Sequence, residues 1–245
     1  MKKGIALLIA LFIMVGCSLP STITSLFQKT NWTESQAPHP TTEPASFLTL
    51  IDNNQIVITG ITGNELNAGF IGNVLDLQLT NKSEKTLEVY IPCGLIFVPE
   101  DDSIQQMMVI QSISLSLKTG ESADLAPFVV CIQSSKATPV GGDAFVVGDI
   151  VEGKLLQLAE CFCREEIDAD QDFSKLMSIQ FATWMVADDT DFTDLPTEGG
   201  GALGDLIGGD SGLGGLGDFL QTFITTMAPD AKTWLDKCQI EVGNK

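Results

Sequence analysis

Cysteine is the residue type in this chain with the clearest capacity for chemistry, because a thiol can form a disulfide, bind a metal ion or attack a carbonyl carbon. The 245 residues include six cysteines. Cys17 follows an apolar N-terminal segment, and five others lie in the remainder of the chain: Cys93, Cys131, Cys161, Cys163 and Cys238. Because five is an odd number, at least one of these thiols must be free, chemically engaged or bonded to another molecule.

The spacing of the cysteines limits how they can pair. Cys161 and Cys163 lie two residues apart, and on a helix their side chains point about 200° apart, so a bond between them is disfavoured. One of the two could instead reach Cys238 and staple the C-terminal helix to the middle helix. A bond between Cys93 and Cys131 would link two strands and leave one thiol of the 161/163 pair free. A soft-metal site would lack a fourth ligand unless Cys93 or Cys131 joined it, so we expect disulfides.

Histidine is almost absent from the chain. The single histidine, His39, lies between two prolines. This removes Ser-His-Asp and Cys-His catalysis and histidine metal clusters from consideration. A carboxylate pair of the kind used in glycoside hydrolysis could still act, but the many acidic residues single out no pair. We therefore predict a protein that is not an enzyme, with no catalytic residue and no cofactor.

The first seventeen residues have the organisation of an export signal. Lys2 and Lys3 precede an almost unbroken apolar run, Gly4–Val15, which Gly16 closes. A basic start, a short apolar core and a small residue before the cut are the parts of a secretory signal peptide. The core is too short to span a bilayer, which takes about 20 apolar residues. The ending Met14-Val15-Gly16-Cys17 resembles a bacterial lipobox.

The lipobox resemblance implies that residues 1–16 are removed and that Cys17 becomes a lipid-modified N-terminus. Acyl chains on Cys17 would then anchor the protein to the extracytoplasmic side of a bacterial membrane. An ordinary cleaved signal with an incidental cysteine is the alternative. Residues 17–46 are rich in Ser, Thr, Pro and Gln, a composition typical of an extended tether. Export would place the remaining cysteines where disulfides persist.

The chain is strongly acidic, with 13 Lys and Arg against 32 Asp and Glu. Residues 1–16 contain two lysines and no acid, so their removal leaves 11 basic residues against 32 acidic ones and a net charge of −21. Such a surface repels nucleic acid and anionic lipid headgroups. We therefore predict no nucleic-acid partner.

Residues 47–140 show a hydrophobic period of two. Apolar and polar residues alternate in Leu75–Thr80, Leu87–Ile91 and Ile113–Lys118. Alternation buries one face of a strand and leaves the other in water, which is typical of antiparallel sheet. Further strands are predicted at Gln55–Ile61, Gly94–Val98, Met107–Ile110 and Leu125–Cys131. Roughly seven short strands at this spacing predict an immunoglobulin-like antiparallel β-sandwich, followed by an α-helical C-terminal section.

Residues 141–245 form that predicted helical section. Leu155, Leu158, Ala159 and Phe162 have helical spacing, which predicts a helix over Asp149–Glu166. A second helix, beginning near Asp172 or Ser174, is apolar around most of its girth and should be buried. Residues 198–217 are rich in glycine and are predicted to be a flexible loop. Two short helices follow, one with an apolar stripe from Leu216 to Ile224 and one over Asp230–Cys238.

Aspartates at 168, 170 and 172 have the alternate spacing of a calcium-binding loop. Phe173 and Ile179 stand where such a loop needs its glycine and its bidentate acid. A solvated acidic linker is the better account, both here and for the acidic run at 188–194. We predict no metal site, and weak calcium binding stays open.

Two short motifs resemble those of bacterial surface thioester domains. They are Val130-Cys131-Ile132, followed by Lys136-x-x-Pro139, and Ile179-Gln180-x-Ala182-x-Trp184. In that family a thiol condenses with a glutamine carboxamide, and the activated acyl group captures a nucleophile. The resemblance implies that Cys131 is the thiol and Gln180 the acyl donor. The alternative is that Cys131 is a core or disulfide cysteine and Gln180 an ordinary helix residue.

Two functions are expected from these observations. The first is a membrane-anchored, non-catalytic binding or surface-structural module with a cell-surface or protein ligand. The second is a covalent-capture adhesin that uses Cys131 and Gln180.

Overall fold

The computed structural model describes residues 46–67, 69–165, 167, 173–189 and 216–242, with only the backbone of 216–226. All of these residues belong to one unit, Thr42–Lys245. Several predictions lie outside the described residues: the signal peptide, Cys17 and nearly all of the tether, the aspartates at 168, 170 and 172, and the glycine-rich loop except its last two positions.

The described chain contains ten strands and four helices. In chain order they are α1 (Phe47–Asp52), β1 (Ile56–Gly63), β2 (Ile71–Gly72), β3 (Leu75–Asn81), β4 (Leu87–Ile91), β5 (Leu95–Pro99), β6 (Met107–Val109), β7 (Ile113–Leu117), β8 (Ser122–Leu125), β9 (Val129–Cys131), β10 (Phe145–Ile150), α2 (Gly153–Cys163), α3 (Phe173–Ala187) and α4 (Leu216–Lys237).

The strands form three sheets, and every pair of neighbouring strands is antiparallel. Their orders are β1-β3-β8, β10-β5-β6-β9-β2 and β4-β7. The alternation in β4 is the predicted one, with Leu87, Val89 and Ile91 buried and Glu88 and Tyr90 exposed. The prediction of a mainly β protein with antiparallel sheets and a few helices is therefore confirmed.

Several elements differ from the prediction. The two short helices predicted from Leu216 to Ile224 and over Asp230–Cys238 form one continuous helix, α4, with Pro229 inside it. Residues 47–52 form a helix because the Ser46 hydroxyl accepts a hydrogen bond from Thr49 N at 3.2 Å, which caps the first turn. Of the predicted strand Leu125–Cys131, only the last three residues form a strand, β9, while Leu125 ends β8; Pro127 between the two strands has no N–H to donate to a ladder.

A further difference lies inside the section predicted to be helical. Residues 145–150 form β10, which pairs with β5 at the edge of the five-stranded sheet. Its β-branched residues Val146, Val147 and Ile150 favour extended backbone. The helix predicted from Asp149 therefore begins at Gly153, after the strand has ended.

Helix α3 is buried around most of its circumference, as predicted from its composition. Every residue from Met177 to Val186 is buried. The helix packs against α4 on one side and against β9 and β2 on another. These contacts hold one helix face directly over the end of β9.

Two disulfides join the helices to the rest of the fold. Cys161 bonds to Cys238, so the predicted staple between α2 and the C-terminal helix is confirmed. Cys163 bonds to Cys93 in the turn between β4 and β5. The predicted pairing of Cys93 with Cys131 is wrong, because Cys131 lies inside β9 while Cys93 faces the end of α2. Cys131 is left as a buried free thiol.

Among the described residues, no helix combines the length and the apolar character needed to cross a bilayer.

Candidate functional site

Cys131 and Gln180 lie in direct contact, although they belong to different elements. Cys131 is the last residue of β9, and Gln180 is in the middle of α3. Gln180 Oε1 accepts a hydrogen bond from Cys131 N at 3.0 Å, and Gln180 Nε2 donates one to Cys131 O at 2.7 Å. Both side chains are fully buried. The structure therefore brings together the two residues singled out by the motif resemblance.

The geometry of β2 explains why a side chain occupies this position. β2 is only two residues long and pairs with Val129 and Val130. Phe70, just before β2, offers its carbonyl to Cys131 N at 2.9 Å, which leaves the Cys131 carbonyl to find a partner elsewhere. A buried peptide group without a partner would cost free energy. The Gln180 carboxamide supplies that partner from the helix.

The thiol of Cys131 contacts the thioether of a methionine. Its Sγ lies 3.3 Å from Met107 Sδ on the neighbouring strand β6. Burial raises the pKa of this thiol well above its usual value, because a thiolate would be desolvated there. The free thiol is therefore neutral and a weak nucleophile at neutral pH.

Gln105 positions α3 relative to the sheet, and sequence reasoning missed it. Its Oε1 accepts hydrogen bonds from Trp184 Nε1 and from Gln133 N, both at 3.1 Å. Its Nε2 donates to Lys136 O at 3.0 Å. A single polar residue beside an apolar strand gives no sequence signal for such a role. Because Trp184 lies one helical turn after Gln180, this anchor also fixes the position of Gln180.

A cavity of about 570 Å³ lies close to this pair. One of its walls is Phe70, whose carbonyl accepts the Cys131 N–H and whose ring centroid lies 6.3 Å from that of Trp184. The remaining lining residues come mainly from two loops, at 101–104 and 137–143. Phe70 thus both lines the cavity and contacts Cys131 through its main chain. Ligand pockets commonly have volumes of roughly 300 to 1,000 Å³.

The contact has features that acyl chemistry requires. A hydrogen bond from Cys131 N to Gln180 Oε1 withdraws electron density from the carboxamide carbon, which favours attack there. The thiol belongs to the same residue as that N–H donor. In the structure the Gln180 carboxamide is hydrogen-bonded to the main chain of Cys131.

Metal chemistry has no comparable arrangement in the described ranges. No group of three or more His, Cys, Asp or Glu side chains is placed there to hold a metal ion. Four of the five cysteines beyond Cys17 are consumed in disulfides.

Comparisons with family models, with curated proteins and with solved structures gave no significant match to this chain.

Proposed function

We propose that the protein is a membrane-anchored, extracytoplasmic binding module of the bacterial cell envelope that holds its ligand covalently. In this proposal Cys17 carries the lipid, residues 17–46 act as the tether, and an internal thioester between Cys131 and Gln180 supplies the reactive group. The protein acts once on its ligand and is not an enzyme. The direct contact between Cys131 and Gln180 is the observation that carries the proposal.

Formation of the thioester balances without an oxidant or a cofactor. Cys131 Sγ attacks Gln180 Cδ, the thiol proton passes to the departing nitrogen, and one ammonia leaves. A nucleophile on the ligand later attacks the same carbon, forms an amide or ester with residue 180 and returns the proton to Cys131 Sγ. The Cys131 N–H remains on the acyl oxygen throughout and stabilises charge that develops there.

Burial of the pair supports a thioester in one respect. Water is excluded from a site whose side chains have no exposed surface, and exclusion of water protects a reactive acyl group from hydrolysis. It also means that the ligand must displace a neighbouring side chain to react. Phe70 lines the cavity and contacts Cys131 through its main chain, so it is the side chain we expect to move.

Intact mass of the mature, unreduced protein tests the proposal. A thioester removes one ammonia in addition to the hydrogens lost by the two disulfides. We expect this loss in the unaltered sequence and its absence in Cys131→Ala and in Gln180→Ala. Methylamine should open the thioester, which adds the mass of one methylamine as a methylamide at residue 180 and frees the thiol of Cys131.

Two outcomes contradict the thioester. One is a mass that corresponds to two disulfides and an intact carboxamide in protein isolated from its native membrane. The other is an ammonia loss that persists in Cys131→Ala, which would place the event elsewhere in the chain.

A non-covalent binding or surface-structural module is the second candidate, and one observation favours it. The Gln180 carboxamide satisfies the main chain of Cys131 beyond the first residue of β2, and this role is complete without any reaction. Under this candidate Cys131 is a core residue packed on Met107. The mass measurement separates the two candidates directly.

The anchor is tested independently of the thioester. Metabolic labelling with a radioactive fatty acid should mark the protein, and Cys17→Ser should abolish both the label and retention in the membrane fraction. Retention of the label in Cys17→Ser would contradict the lipidation proposal.

The finer fold class is also part of the proposal. We infer that the antiparallel sheets pack face to face as an immunoglobulin-like β-sandwich. One continuous cluster of buried side chains from all three sheets supports this arrangement.

A further inference from the structure

Strand β7 has an edge that no other described strand covers. It forms a two-stranded sheet with β4, and among the described elements β4 alone packs extensively against it. In an antiparallel pair, alternate residues direct their N–H and C=O groups to the partner strand, and the others direct them away. Outside the ladder with β4, no main-chain hydrogen bond of residues 113–116 is found in the described chain. Such an edge is a template for another strand.

The core-facing residues of β7 are incompletely covered. Ile113, Leu115 and Leu117 alternate with Ser114 and Ser116, which are exposed. Leu117 is buried, but the other two apolar residues are only half-buried, although they pack against the core. Their cross-strand partners on β4 are all buried. A further strand beside β7 would therefore remove apolar surface from water.

The other sheet edges carry features that discourage pairing with a second chain. β1 and β10 each have a break in register, β2 is two residues long, β8 carries Asp124 and β4 carries Glu88. Irregular register, short length and charge are the usual protections of an edge strand. β7 has none of them: its five residues include no charge and no proline, and it pairs with β4 in unbroken register.

The distribution of charge favours a second copy of this chain as the occupant of the edge. The chain has a net charge of −19, so most surfaces of two copies repel each other. β7 is uncharged, and a two-fold axis at Leu115 would set two copies of the strand antiparallel. Ser114 of one copy then lies opposite Ser116 of the other, where serine hydroxyls can form hydrogen bonds. Such a contact is self-complementary and closes at a dimer.

We propose that two copies of the chain associate through β7 and join their two-stranded sheets into one four-stranded sheet, in the order β4-β7-β7-β4. The pairing satisfies the open main-chain groups and covers Ile113 and Leu115. Five residues per copy is far fewer than the roughly 20–30 a side of a stable interface, so the dimer is weak and depends on concentration. The proposal goes beyond the function proposed above and depends on neither the thioester nor the lipid anchor.

Sedimentation equilibrium of the full-length protein, in a detergent matched in density to the solvent, measures the association. We expect a monomer–dimer equilibrium that tightens as salt is added, because salt screens the repulsion between two acidic copies while the strand pairing uses no charge. A monomer at every concentration up to about 1 mM would overturn the proposal and leave the edge to a strand of a different protein. A dimer that weakens as salt is added would also overturn it, because charged groups would then hold the copies together.

Substitutions of the two exposed serines test the position and the register. Ser114→Lys with Ser116→Lys sets lysine opposite lysine twice, so we expect dimerisation about fivefold weaker or more, although the lysines reduce the overall repulsion. Ser114→Glu with Ser116→Lys sets glutamate opposite lysine twice, so we expect dimerisation about fivefold tighter. Weakening in both variants would contradict the two-fold pairing.

Thr62→Lys with Gln78→Lys is the matched control, because both residues are exposed on the β1-β3-β8 sheet and the change in charge equals that of the double-lysine variant. A loss of dimer as large in this control would overturn the assignment to β7. Ser116 lies opposite Glu88 of β4, so a lysine there suits the fold. If the double-lysine variant unfolds, the glutamate–lysine variant decides alone: a tighter dimer supports the proposal, and an unchanged or weaker one contradicts it.

Discussion

Gln180 and Cys131 are joined by two hydrogen bonds of opposite direction, although 49 positions separate them in the chain. The side-chain amide of a helix residue thus supplies a hydrogen-bond partner to Cys131, which lies beyond the pairing of β9 with β2. The same contact that satisfies the main chain also presents a carbonyl carbon to the residue that carries the free thiol.

Loss of the Gln180 amide should destabilise the fold. In a Cys131→Ala background, where no thioester can form, Gln180→Ala leaves the carbonyl of residue 131 buried without its donor, so we expect the free energy of unfolding to fall by about 1–3 kcal/mol. Urea denaturation measures the change. Gln78→Ala is the control, since Gln78 is exposed on β3 and its loss should change stability by less than about 0.5 kcal/mol. Equal changes in the free energy of unfolding for the two substitutions would show that the buried hydrogen bonds of Gln180 do not stabilise the fold more than an exposed glutamine does.

The thiol of Cys131 should make stability fall at alkaline pH. Its pKa is raised by burial, so the folded state keeps the proton at pH values where the unfolded chain has already lost it. The free energy of unfolding therefore declines above the ordinary thiol pKa of about 8.5, by up to about 1.4 kcal/mol per pH unit, and is insensitive to this group below that pH.

The measurement compares urea denaturation at pH of about 7.5 and about 9.5 in a preparation whose intact mass shows no loss of ammonia. Cys131→Ala should lack this part of the decline. An identical pH dependence in both proteins would mean that the thiol titrates equally in the folded and unfolded states.

The two disulfides should contribute similarly to stability. They close loops with sequence separations of 70 and 77 residues. In the chain-entropy model, each such loop is worth about 4–5 kcal/mol. We expect Cys161→Ala with Cys238→Ala to lose about as much as Cys93→Ala with Cys163→Ala, as measured by chemical denaturation. A difference of several kcal/mol would show that contacts of the native state, and not loop entropy, dominate one of them.

Gly63 should not tolerate a side chain. A Cβ atom at this position would overlap the carbonyl oxygen of Val140, in the loop that lines the cavity, so the main chain would have to move. We expect Gly63→Ala to cost about 1–3 kcal/mol in a thermal or urea unfolding experiment. Gly60→Ala on the same strand is the matched control, because its nearest neighbour, Gln78 Oε1, would lie at an ordinary contact distance of 3.8 Å.

Where one face of a strand meets water, the alternation of apolar and polar residues predicted the strand. Leu87, Val89 and Ile91 in β4 are an example. The same reasoning failed for β10, which lies at the edge of the sheet and whose exposed and half-buried residues do not alternate cleanly. It also failed for Phe47–Asp52, where the cap made by Ser46 decided the local structure.

Sequence spacing by itself indicated that Cys161 and Cys163 would not bond to each other and that α3 would be buried, because helical geometry and composition act locally. It also marked Cys131 and Gln180 through short motifs. Only the tertiary structure decided that Cys93 pairs with Cys163, that Cys131 stays free, and that Gln180 meets its main chain while Gln105 meets the loop after β9. These contacts join residues far apart in the chain, and their partners are set by how the helices pack on the sheet.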